Sequence, residues 1–353
     1  MTVVTGGAGF IGSHLVAALL ARGEDVRVVE KPGVDCSHLS PCDVAFADIT
    51  DRAAVGRSLH DANIVYHLAA DPNLWEPRRG HFHRVNFLGT INVLNAALDA
   101  GASRILHCST ESILTRVRQT GPIREDVEVP LAEVIGPYCR SKYFAERTAF
   151  ALAARGAPVL VVNPTLPVGP GDRGMSPPTR MMRDFCTDGR SAYVDADLNL
   201  IDVRDVAEGM IRAIAVGVPG RRYLLGAENW SVKRVFDFLA QLEGLPPPRW
   251  QVPYALALTA AYASEFIADV VTGISPAATI TGVKLTRRRM AFNASASLTA
   301  LGLKPRPVAD AIRTSVEWLR TTHALRSQSA GRGRLLTLGP QGPRPIRRPV
   351  ACN

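Results

Sequence analysis

"TVVTGGAGFIGSHLVAALLARG", residues 2–23, decides the fold. It opens on a short β-branched run, "TVVT" (2–5), and runs on from Phe10 with apolar residues at helical spacing; between the two, Gly6, Gly9 and Gly12 stand at GxxGxxG spacing. Glycines also serve ordinary turns, so the spacing takes its meaning from a strand before it and a helix after it. In that setting each has a task. Gly6 allows the tight turn, Gly9 lets the backbone approach a pyrophosphate, and Gly12 lets helix and strand pack closely. The N–H groups at Phe10 and Ile11, with the helix dipole behind them, then favour phosphate. A βα turn without a ligand is the competing reading.

Outward from this stretch the alternation continues. "DVRVVE" (25–30), "DVAFA" (43–47), "NIVYHLA" (63–69), "RILHCS" (104–109) and "APVLVVNP" (157–164) are apolar runs of strand length. "DRAAVGRSL" (51–59) and "HFHRVNFLGTINVLNAALDAG" (81–101) carry apolar residues at helical spacing, the second stopping on Gly101. Such an order gives an α/β fold with a doubly wound parallel sheet of Rossmann type. After Pro164 the texture changes. "NPTLPVGPGDRGMSPP" (163–178) reads as a loop, 200–217 as a strand end running into a helix, and 231–244, 254–273 and 306–320 as helices. The expected organisation is a dinucleotide-binding unit over 1–165, to which 198–222 returns. A smaller, mainly helical substrate lobe follows from 166–197 and 223–323, and a basic tail over 324–353 is not expected to pack.

Net charge of +9 suggests nucleic acid until it is located. Arg326, Arg332, Arg334, Arg344, Arg347 and Arg348 hold most of it, in the tail, so no nucleic-acid partner is expected. Six scattered cysteines form no CxxC pair, which argues against a zinc site and against a secreted disulfide framework. His81 and His83, two apart, point to opposite sides of a helix, and no metal is expected. The chain shows no basic leader ahead of its first strand, which points to a reducing, cytoplasmic setting.

Glu30 ends the second strand about 20 residues past the glycines, where an acid bonds an adenosine ribose hydroxyl. That favours NAD; Lys31 beside it would receive the phosphate of NADP, and only one of the two can face the ribose. In "ADIT" (47–50), Asp48 with Ile49 suits adenine, or Asp48 caps the next helix. "HLAA" (67–70) ends the fourth strand on Leu68, Ala69 and Ala70, small enough for a cofactor to lie close.

These pieces, with "HCSTES" (107–112), "YCRSK" (138–142) and "VNPTLPVGPGD" (162–172), resemble the extended short-chain dehydrogenase/reductase family over residues 2 to 320. Within it, "AADPNLWEP", "SAYVDADLNLIDVRDVAEG" and "VPYALALTAAY" look most like the hopanoid-associated sugar epimerases, which are similar to dihydroflavonol reductases. The resemblance implies that Tyr138 is the acid/base and that Lys142, four residues on, lowers the pKa of its phenol and bonds the nicotinamide ribose. Alone, a tyrosine and lysine at this spacing would fit a half-buried ring and a solvated amine. The resemblance places Thr110 on the substrate oxygen, with Ser109 before it, and Asn86 beneath the site. Asn163 and Pro164 end the sixth strand, with Thr165 and Leu166 against the nicotinamide amide. Two departures stand out: Glu111 faces solvent or is a second acid/base, and Asp202 sits where the family often has histidine.

Two substrates fit. A nucleotide-sugar epimerase needs cations for its diphosphate, and Arg180, Arg183, Arg221, Arg222 and Arg249 are available. A dehydrogenase or reductase of an apolar alcohol or ketone, of steroid, triterpenoid or dihydroflavonol type, fits the apolar 254–273 followed by "KLTRRRM" (284–290). That segment could rest on the inner face of a membrane, or pack as core with Glu265 and Asp269 marking its exposed side. A non-catalytic NAD(P) sensor ranks last, because Tyr138 and Lys142 are both present. The resemblance further implies a homodimer through helices 81–100 and 137–155.

Overall fold

The computed structural model describes residues 1–322 except Ser40, Arg79, Arg190 and Ala277, so the expected tail lies outside the described residues. Seven parallel strands form the central sheet. In chain order they are β1 (Thr2–Thr5), β2 (Val26–Glu30), β3 (Asp43–Phe46), β4 (Ile64–His67), β5 (Arg104–Cys108), β6 (Val159–Pro164) and a seventh strand, Arg222–Leu225. Spatially the order is β3, β2, β1, β4, β5, β6 and then Arg222–Leu225. Chain direction across the sheet reverses between β1 and β4, the crevice where doubly wound sheets hold ligands.

Alternation along each strand explains why helices cover both faces. Val4, Leu106, Leu160 and Val162 join one core with α1 (Phe10–Leu20) and α6 (Val203–Val216). Their neighbours Val3, Ile105, Val159 and Val161 join a second core with α2 (Arg52–Ser58), α3 (Gly89–Asp99) and α4 (Gly136–Ala153). Successive side chains on a strand point to opposite faces, so one sheet divides its residues between two cores.

The 163–178 stretch, expected as loop, contains a short strand β7 (Leu166–Val168), and α5 (Pro177–Asp188) begins at its end. Further helices are α7 (Val232–Glu243), α8 (Tyr254–Ile267), α9 (Ile280–Thr286), α10 (Ser295–Leu301) and α11 (Val308–Thr321). α5, α7 and α11 share a core containing Phe185, Phe236 and Ile312. A further apolar cluster joins Ile113, Val134 and Cys139, near the start of α4, to Leu285, Met290 and Phe292. Through this cluster the C-terminal segments reach the helix that carries Tyr138. Gly136 shows how closely: a Cβ there would lie 2.4 Å from the Thr281 hydroxyl on α9.

Candidate active site

At the end of β1 the glycine turn is built to minimal clearance. Gly6 has φ +75, and a Cβ on it would lie 2.7 Å from the Ala69 nitrogen beyond β4. A Cβ on Gly12 would lie 2.1 Å from the Gly6 carbonyl oxygen. Gly9 differs: it is exposed, and its only near neighbour would be the Gly6 oxygen at 3.2 Å. It begins α1, whose N-terminus has no side-chain cap and no acid in its first turn. The N–H groups around Phe10 and Ile11 are thus left for a ligand. Glu30 Oε1 accepts the Ala8 N–H at 2.7 Å, which ties the acid to the turn, and burial pushes its carboxyl up.

Asp48 and Ile49 sit beyond β3. The Asp48 carboxylate accepts from the Thr50 N–H and hydroxyl, both at 2.8 Å, while Asp51, not Asp48, caps α2. Ile49 is buried against α3, where a Cβ on Gly89 would lie 2.8 Å from its side chain. Leu68, Ala69 and Ala70 leave β4 half-buried, and Lys31 is exposed.

His67, the last residue of β4, was not singled out by the sequence, yet it anchors the floor of the site. Thr90 donates its hydroxyl to the Asn86 carbonyl at 2.6 Å, so it must accept from His67 Nε2 at 2.9 Å. His67 Nδ1 then accepts from the Thr5 hydroxyl at 2.8 Å. Burial lowers the imidazole to about 3, so the ring stays neutral. Asn86 lies in a π-helical segment, His83–Leu88, and is fully buried. Its amide accepts from the Asp71 N–H (2.7 Å) and donates to the Asp71 carbonyl (3.0 Å) and the Ser141 hydroxyl (3.1 Å). Ser141 donates to the Tyr138 carbonyl at 2.6 Å. One buried chain of hydrogen bonds thus runs from the residue before the glycine turn to the helix bearing Tyr138.

Tyr138 and Lys142 share a face of α4. Lys142 is buried and donates from Nζ to the Cys108 carbonyl at 2.6 Å. Thr110 neighbours the Tyr138 hydroxyl, and the Tyr138 ring meets Phe82 edge-on with centroids 6.2 Å apart. The expected acidification does not come from the protein groups. Burial, then the negative groups of Cys139 and Glu111, push the phenol up from its ordinary value, and burial pulls Lys142 down. Lys142 is buried, whereas Tyr138 is half-buried, packed against the apolar cluster around Ile113 and Phe292.

Glu111 is buried, and Thr110 donates its hydroxyl to Glu111 Oε2 at 2.9 Å, so the carboxyl faces the site rather than solvent. Burial raises it to about 7. A carboxyl whose folded value lies above its ordinary 4.5 stabilises the fold fully below that pH, and the contribution is lost as pH rises through about 7. Glu111→Gln is therefore expected to be more stable than wild type at pH 8 by about 1–3 kcal/mol, with the gap closing towards pH 5. Paired unfolding curves at the two pH values measure it; a gap that does not change with pH would show that Glu111 carries no such penalty.

Behind Thr110 lies a buried ion pair that the sequence did not reveal. Arg222 Nη2 meets Glu146 Oε1 at 2.6 Å, and Asn163 Nδ2 donates both to Glu146 Oε2 (2.8 Å) and to the Thr110 carbonyl (2.9 Å). The signal available was Glu146 itself, four residues past Lys142 on the inward face of α4. Pro164, Thr165 and Leu166 follow Asn163 at the sheet edge, and the buried hydroxyls of Thr165 and Ser109 have no protein partner. Asp202 makes no contact of substrate type: fully buried, it caps α6 by accepting the Arg204 N–H at 2.8 Å. Asp71, Glu76 and His81 bring possible ligand atoms within 4.8 Å of one another, a grouping not foreseen from His81 and His83, and His81 lies 3.0 Å from Asp71.

Uncapped N–H groups, an open Gly9 and unpaired hydroxyls at the strand ends fit a dinucleotide laid across the β1–β4 crevice. A model of the NAD dependent epimerase/dehydratase family matches residues 2–226. A protein of dihydroflavonol 4-reductase type from Synechocystis sp. is 34% identical over 331 residues, covering 92% of this chain and 96% of the relative. Sterol demethylase protein B of Methylococcus capsulatus is 30% identical over 322 residues, 90% of this chain and 98% of the relative. Among solved structures, MoeE5 in complex with UDP-glucuronic acid and NAD superposes with TM-score 0.70 at 26% identity, covering 91% of this chain and 99% of that one.

Proposed function

Since the chain belongs to the NAD-dependent epimerase/dehydratase family, we propose that it is a reductase or dehydrogenase of an apolar alcohol or ketone, of steroid, triterpenoid or dihydroflavonol type. It is an NAD-dependent enzyme acting on CH–OH groups. When bound, NAD accepts or returns a hydride at the substrate carbon. The α1 N-terminus would hold the pyrophosphate and Glu30 the adenosine ribose. Lys142, Ser109 and Thr165 would line the nicotinamide end. Thr110 would hold the substrate oxygen and Tyr138 would exchange its proton. A neutral phenol can give its proton to a carbonyl oxygen, the step that ketone reduction needs.

The observation that carries this substrate class is the engagement of four of the five candidate cations, all but Arg249, by the chain itself. Arg222 is buried against Glu146, Arg183 pairs with Asp184 at 2.6 Å, and Arg180 donates to the Met175 carbonyl at 3.2 Å. The Arg221 guanidinium lies 5.5 Å from the centre of the Tyr223 ring. Near Tyr138 the surrounding cluster is Ile113, Leu114, Met290 and Phe292. The names of the two relatives, reductase and sterol demethylase, agree with an apolar substrate. A sugar epimerase of the hopanoid-associated kind is the second reading, supported by the likeness to a protein solved with a UDP-sugar. A cytoplasmic homodimer through 81–100 and 137–155 is consistent with Phe87 and Phe144, whose rings meet at 5.6 Å beside Leu88, 42% exposed.

The two readings separate on the cofactor. A reductase releases it every turn, so purified protein should lose NAD on gel filtration and sustain NADH oxidation with a steroid-type ketone. Retention of stoichiometric NAD, with interconversion of nucleotide sugars and no net redox change, would replace this proposal by the epimerase. Glu30 makes a separate prediction. Glu30→Ser is expected to cut the preference for NAD over NADP about tenfold, since a carboxylate repels a ribose phosphate. Titration of both cofactors against the variant tests it, and an unchanged ratio would show that another group selects.

A further inference from the structure

α8 is built inside out. On its inner side lie only small buried residues, Ala257 and Ala261, continued by Ala268 in the π-helical extension Ala268–Thr272. Of its two acids, both expected on an exposed face, Asp269 is exposed and accepts the Trp75 indole N–H at 2.9 Å, whereas Glu265 is half-buried and accepts the Ile280 N–H. The bulky apolar residues face outward instead. Phe266 is 64% exposed, Val270 67%, Val271 72% and Ile274 71%, with Leu256 and Ile267 beside them. Isolated exposed apolar residues are ordinary, but a contiguous patch of this kind on one helix marks a surface that meets something.

Charge identifies what it meets. Lys284 reaches over the Tyr262 ring at 5.9 Å and Arg287 over Tyr254 at 4.7 Å, so cations from α9 border the apolar face. Between Leu245 and Ala309 the sequence carries seven lysines and arginines and no acid besides Glu265 and Asp269. At the helix's leading end Trp250, 73% exposed, follows Arg249. Aromatic and apolar groups flanked by cations, with Glu265 half-buried and Asp269 bonded to Trp75, match the headgroup layer of an anionic bilayer. The segment Tyr254–Thr272 is long and apolar enough to cross a membrane, yet its alanine side is packed and both acids bond other parts of the chain. It therefore lies on the surface rather than through it.

We propose that the outer face of α8 and its extension, with Lys284 and Arg287 at its rim, docks this protein onto an anionic phospholipid surface. This stands independently of which alcohol the enzyme uses. The Trp75–Asp269 bond joins the docking helix to the segment after Asp71, which Asn86 holds beside α4, so the surface adjoins the substrate side of the site.

Flotation of the full-length chain with phosphatidylcholine vesicles, with and without about a third phosphatidylglycerol, tests it. Wild type should bind the anionic vesicles, and Phe266→Ser/Val270→Ser/Val271→Ser should bind at least about tenfold more weakly, with the basic tail still present. Arg287→Gln should weaken anionic binding more than neutral binding. NAD affinity of each variant, expected unchanged, reports folding. Equal flotation of wild type and the triple serine variant would overturn the proposal, assigning any binding to the tail. So would a failure of wild type to float, or an apolar-face dimer that the triple variant abolishes.

Discussion

In Tyr138→Phe, turnover is expected to fall about 10³-fold while NAD affinity stays within about threefold of wild type. The ring that packs against Phe82 is kept, and so is the α4 backbone that Ser141 and Asn86 hold in place. Only the hydroxyl beside Thr110 is lost, and with it the group proposed to exchange a proton with the substrate oxygen. Lys142 is held away from that role, its ammonium anchored to the Cys108 carbonyl at 2.6 Å. Single-turnover hydride transfer beside equilibrium NAD titration makes the measurement. Turnover within threefold of wild type would remove Tyr138 from the chemistry.

Gly12→Ala is expected to act on the other half of the site. A methyl group 2.1 Å from the Gly6 carbonyl oxygen meets backbone, not a side chain that can swing aside. Either α1 moves off the sheet or the glycine turn opens, and each displaces the N–H groups that face the pyrophosphate. Overpacking of this kind costs about 1–3 kcal/mol of stability. NAD affinity should drop by about 100-fold, because the loss falls on the phosphate contacts directly. Calorimetric titration with thermal unfolding separates the two effects. Tight NAD binding in a folded variant would show that the turn tolerates more than its spacing implies.

What the sequence disclosed follows from how each element is buried. Of the six strands through Pro164, the inner ones were legible because both their faces are covered, leaving uninterrupted β-branched runs such as "VLVV", while β3, at the edge, is largely open. The seventh, Arg222–Leu225, was not, since four residues opening on an arginine do not announce a strand. That same arginine was assigned to a diphosphate, and only the fold brings it to Glu146, 76 residues away. α9 and α10, seven residues each, are too short for their period to show. For α8 the length was evident and the orientation was not. Charged residues suggest a solvent face, and nothing local says that Asp269 will find Trp75, 194 positions earlier in the chain. At the site, Tyr138, Lys142 and the glycines were visible as spacings, whereas His67 and Glu146 act through partners distant in sequence. Glu111 was noticed as an oddity; its burial against Thr110 was not legible.

The groups proposed to bind NAD and move the proton all come from the first 168 residues, and the apolar cluster beside Tyr138 is completed by Leu285, Met290 and Phe292 from a much later stretch. On this proposal, chemistry and appetite lie on separate lengths of chain. A lineage could then alter what it eats by rewriting that later stretch while its proton donor stays untouched.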